Sequence, residues 1–112
     1  MSKPIDWSEF GVFDENIPDD WQYVLEVRDV NSSGDWAELY VFYSPRIRRF
    51  YWLGSSGCSC CYSWGEGIKS ENDFYSGTRD KLAQDIPMFT ALHSSHDFDT
   101  MEVIAKLVRF RP

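Results

Sequence analysis

From Trp21 to Val30 the side chains alternate, with Tyr23, Leu25 and Val27 set against Val24, Glu26 and Arg28. A period of two predicts a half-buried strand, because successive side chains leave opposite faces of the pleat. Asn31-Ser32-Ser33-Gly34-Asp35 follows as a turn cluster whose glycine can take positive φ. Trp36 to Tyr43 reads as a second strand, and Ser44-Pro45-Arg46 breaks it. Arg49 to Leu53 gives a third strand, built on Phe50, Tyr51 and Trp52. Two short connections in succession predict an antiparallel meander.

The second half changes period. Thr78 or Ser76 can cap a helix holding Leu82, Ile86 and Phe89, which Pro87 should kink or split near Asp85. Asp99-Thr100-Met101-Glu102 is a capping-box pattern. It leads into Met101, Ile104, Ala105 and Val108, an apolar stripe at helical spacing that predicts a core-facing surface, with Arg109 near the helix end. Near the start, Asp6-Trp7-Ser8-Glu9-Phe10 carries another helix-start pattern, kept short by Gly11 and Pro18, with Trp7, Phe10 and Phe13 on one side. The predicted fold is α+β: an antiparallel meander of three or more strands with two or three helices packed on one face. The 112 residues read as a single domain. Residues 1–20 form an acidic segment, 21–53 the strands, 54–67 a Cys/Gly/Ser loop, and 76–110 the helical half.

Composition adds two points. Aromatic residues make up 17% of the chain, more than a small core easily hides. Trp7, Phe10, Trp36 and Trp64 are therefore candidate contacts for a protein partner, since interface cores favour such side chains. The net charge of -7 disfavours direct nucleic-acid binding, which rests on Lys and Arg displacing counterions. Acids crowd the first twenty residues, whereas bases gather at Arg46, Arg48 and Arg49 and again at Lys106, Arg109 and Arg111. No apolar run approaches the ~20 residues of a membrane span, and Met1 to Phe10 lacks an apolar signal core. Three cysteines within four positions do not make a disulfide framework, so a reducing cytoplasm is the expected setting.

Candidate chemistry concentrates in Gly57-Cys58-Ser59-Cys60-Cys61. Cys58, Cys60 and Cys61 with His93 and His96 contain enough donors for a tetrahedral zinc site, although Cys-x-Cys-Cys is tighter than a usual zinc knuckle. Cys58 and Cys61 also have the C-x-x-C spacing of thiol redox sites, but no helix start follows at once to lower a thiol pKa. The third reading is packing: free cysteine behaves as a small buried apolar group, and this reading leads. No G-x-S-x-G elbow and no phosphate-binding glycine loop is present. The residues therefore predict no enzyme and no cofactor, with zinc as the alternative.

One order of features is distinctive: Arg49-Phe50-Tyr51-Trp52, then Gly57-Cys58-Ser59-Cys60, then Trp64-Gly65-Glu66, then the helix from Thr78 to Ile86. It resembles a family of small uncharacterised proteins of actinobacteriophages, in which a strand is followed by a Gly-Cys-Ser-Cys loop. The resemblance covers about Tyr23 to Ile86. Cys61 is an additional thiol, and Ser63 stands where the family commonly has proline. The resemblance implies a phage gene product acting in the host cytoplasm. The expectation is a small non-enzymatic interaction protein that binds a host protein, with a metal-binding module second and a thiol-dependent enzyme third.

Overall fold

The computed structural model describes residues 5–12, 17–18, 20–58 and 64–112. Four strands, β1 (Gln22–Val30), β2 (Asp35–Ser44), β3 (Arg49–Cys58) and β4 (Tyr75–Gly77), form one sheet in the order β1-β2-β3-β4. Every neighbouring pair is antiparallel. Two helices, α1 (Arg79–Leu92) and α2 (Thr100–Arg109), follow. The α+β meander predicted from the alternation is the observed architecture, with the helices on one face of the sheet.

The helix-side core joins Leu25, Val27, Ala37, Leu39, Val41, Tyr43, Phe50 and Trp52 of the sheet to Leu82, Ile86 and Phe89 of α1 and to Val103 and Leu107 of α2. Caps start both helices as their sequences require: Thr78 Oγ1 accepts from the Lys81 N–H at 3.2 Å, and Asp99 Oδ1 from the Glu102 N–H at 3.0 Å. Arg79 binds the far end of α2, donating to the Leu107 carbonyl and, at 3.0 Å, to the Phe110 carbonyl. Its guanidinium also lies over the rings of Phe50 and Phe110. A sequence-distant side chain thereby reinforces the C-terminal end of α2, where the Phe110 N–H and Arg111 also bond to these carbonyls.

The opposite face of the sheet carries a second core. Trp36, Tyr40, Phe42 and Tyr51 meet Val12, Ile17, Trp21, Trp64, Ile68 and Phe74. The covering pieces are a 3₁₀ helix (Trp7–Phe10), the chain leading into β1, and the segment 64–74. Trp21 stacks on Tyr51 with centroids 4.2 Å apart and meets Phe74 edge-on at 5.2 Å. Gly65 lies against the backbone of this 3₁₀ helix, where an added Cβ would come within 2.2 Å of the Phe10 carbonyl oxygen. Only a residue without a side chain permits that approach.

Four details differ from the sequence reading. The register shifts between Tyr23 and Leu25, so Tyr23 pairs with Phe42 and Leu25 with Val41. This irregularity at Val24 sends Tyr23 to the aromatic face, beside Phe10 and Phe42, while Leu25 and Val27 face the helices. β3 continues through Gly54 to Cys58, where a loop is predicted from 54. Rings cover the glycines there: a Cβ on Gly54 would fall 2.6 Å from Phe89 on one face, and one on Gly57 would fall 3.1 Å from Trp36 on the other. Pro87 lies inside α1 without splitting it. Because Pro87 is exposed, the missing hydrogen bond falls on the solvent side of the helix. Finally, α2 buries Val103 and Leu107, whereas Met101 and Val108 of the predicted stripe point outward.

Candidate functional site

β4 is three residues long and pairs only with Phe50, Tyr51 and Trp52. Beyond it, on the helix side, a groove of about 560 Å³ opens between the sheet and α1. Leu39, Trp52 and Gly54 form its floor, and Tyr75 and Ser76 of β4 stand on one side. Lys81, Asp85, Met88, Phe89, Leu92 and His93 line the side made by α1. The spacing explains this wall: α1 buries 82, 86 and 89, so 81, 85, 88 and 92 form the adjacent row.

The floor and wall are fastened together. The Trp52 indole N–H donates to Asp85 Oδ2 at 3.0 Å, while Lys81 Nζ meets Asp85 Oδ1 at 2.7 Å. Both carboxylate oxygens are thus engaged, and the polar tip of Trp52 is satisfied without water. The rim is apolar and open: Tyr75 is 66%, Met88 61% and Leu92 79% exposed. A preformed concave floor under exposed apolar side chains suits capture of an apolar group, with Lys81 and Ser76 available at the edge.

At the end of the groove, the His93 ring packs 4.6 Å from Phe89 and 6.4 Å from His96 between centroids. Burial, with help from the neighbouring imidazole, holds the His93 pKa below its ordinary value. His96 Nδ1 shares a 2.8 Å hydrogen bond with Asp29 Oδ2, and Phe98 stacks on its other side. The Asp97 N–H also reaches Asp29 Oδ2, at 3.4 Å. Together these contacts tie the α1–α2 connection to the end of β1.

The predicted metal donors divide. His93 and His96 come together, but His96 is already engaged by Asp29. Cys58 ends β3, paired with Asp35, and its carbonyl accepts from the Trp36 indole at 3.3 Å. Cys60 and Cys61 lie outside the described residues. Among the described residues, no three His, Cys, Asp or Glu side chains converge as a metal site would require.

The predicted partner aromatics have structural work. Trp36 and Trp64 are buried, and Trp7 and Phe10 are half-buried against the same cluster. The indole N–H groups of Trp7, Trp36 and Trp64 donate internally, to the carbonyls of Pro18, Cys58 and Leu53. The most exposed apolar groups are instead Tyr75, Met88 and Leu92 at the groove and Met101 and Val108 on α2, with Val30, Tyr23 and Ile47 less so. Charge is also redistributed by the fold. The 45–48 turn, the start of α1 and the end of α2 share one end of the sheet, bringing Arg46, Arg48, Arg49, Arg79, Arg109 and Arg111 to one pole.

No helix of the described residues is long and apolar enough to cross a membrane. Compared with known proteins, the chain matches no family model, no curated protein and no solved structure.

Proposed function

We propose that the protein is a small phage-encoded interaction protein, non-enzymatic, that binds a host protein in the bacterial cytoplasm through the groove beside α1. The observation that carries this reading is the rim of Tyr75, Met88 and Leu92 around a floor locked by the Trp52–Asp85 hydrogen bond. Apolar side chains left in water beside a preformed recess cost nothing to desolvate further and gain when a partner covers them. The one-sided arginine pole, on a chain of net charge -7, adds orientation to the encounter.

The test is parallel affinity capture from actinobacterial lysate with the wild-type chain and with Leu92→Asp and Met88→Asp. Both positions are exposed, so the fold is retained, as circular dichroism will verify. A host protein held by the wild type and released by either substitution supports the reading. Identical recovery with all three chains, or none with any, rejects it.

A further inference from the structure

α2 presents a second apolar surface, separated from the groove by α1. Met101, Ile104, Ala105 and Val108 recur at i, i+3, i+4 and i+7, the spacing of a helix seam. Core packing absorbs them only in part: Val103 and Leu107 are the buried residues and Ile104 touches the core from its half-buried position, while Ala105 is half-buried, Met101 is 85% exposed and Val108 59%. We propose that this stripe is a self-association surface, on which two copies of the chain pack their α2 helices antiparallel about a two-fold axis near Ile104 and Ala105.

The charges flanking the stripe select both the occupant and its direction. At 3.6 residues per turn, Glu102 and Arg109, seven positions apart, stand on the same flank. The other flank is occupied by α1, through the Thr100 Oγ1 to Thr90 Oγ1 hydrogen bond at 3.1 Å. In an antiparallel pair like flanks face each other. Met101 of each copy then meets Val108 of the other, and each Glu102 meets the second copy's Arg109. A parallel pair would set Glu102 against the α1 side instead and would align the helix dipoles head to head. Among the described residues Glu102 pairs with Lys106 at a long 4.0 Å, a contact that Arg109 of a second copy can displace. Ala105 beside the axis lets the backbones approach.

A ten-residue helix is only ~15 Å long, so the contact falls short of the ~800 Å² per partner of a standard interface. The pairing is therefore weak and concentration-dependent, with monomer prevailing in dilute solution.

Sedimentation equilibrium of the full chain from about 5 μM to about 1 mM is the experiment. The apparent mass should rise from 13.1 kDa toward twice that value, and Met101→Lys should hold it at the monomer mass. Glu102→Arg and Arg109→Glu should each weaken association at least tenfold. An equimolar mixture of the two variants should restore it, since both cross-pairs become complementary again. A wild-type chain that stays monomeric throughout overturns the proposal. So does association unaffected by Met101→Lys, or a mixture no stronger than its components. The groove is absent from this contact, so the Leu92→Asp chain should still dimerise whatever the outcome of the host-capture experiment.

Discussion

The fold opposes protonation of the His93 imidazole, which is packed on Phe89 with His96 nearby. Unfolded, it binds a proton at its ordinary value of 6.5; folded, it does so only at lower pH. Between those values the unfolded chain holds more protons, so acidification below 6.5 shifts the balance toward unfolding. The denaturant midpoint should therefore fall between about pH 7.5 and about pH 5.5, and His93→Gln should reduce that fall. An identical pH profile for the variant would remove His93 from the account. His96, the imidazole 6.4 Å away, remains in both chains together with its hydrogen bond to Asp29. At this scale the sequence revealed the histidine pair but not that Asp29 of β1 engages His96, because sequence spacing fixes neighbours on one helix and says little about a strand 67 residues away. Gly54 and Gly57 show the same limit: intrinsic preference argues against a strand, and rings from elsewhere in the chain overrule it.

Helix α1 tolerates a proline because the lost hydrogen bond faces solvent and the buried row of Leu82, Ile86 and Phe89 is uninterrupted. Proline nevertheless costs ~3 kcal/mol relative to alanine inside a helix. Pro87→Ala should accordingly stabilise the protein by about 1–3 kcal/mol, seen as a higher thermal midpoint, and an unchanged or lower midpoint would show that Pro87 is not a cost to α1. Caps made both helix starts legible, as Thr78 and Asp99 demonstrate. The orientation of α2 was less so. Val103 with Leu107 and Met101 with Val108 are both apolar sets at helical spacing, and only tertiary contact decides which one is inside. β1 hid its irregularity for a related reason: an extra residue at Val24 leaves the alternation readable while exchanging the faces on either side of it.

Across the whole molecule, one sheet serves two cores. Leu39 and Val41 face the helices while Tyr40 and Phe42, their immediate neighbours on β2, face the aromatic layer. The two layers should consequently unfold together. Trp21→Ala, made wholly on the aromatic side, should cost ~3–5 kcal/mol. It should lower the far-ultraviolet helix signal and the tryptophan fluorescence transition to the same midpoint. Separate midpoints would show the layers to be independent. The meander was legible because local alternation and turn residues encode it. The aromatic layer was not, since its covering pieces lack periodicity and read as spare contacts for a partner. The position of Gly65 against Phe10 carries this further, into the order of events during folding. Trp7, Phe10, Val12, Ile17 and Trp21 leave the ribosome before Trp64, Ile68 and Phe74, yet their packing is incomplete until those three have been synthesised. Local hairpins and helices can form while they wait, so a stretch made before its covering partners finds its place only after them.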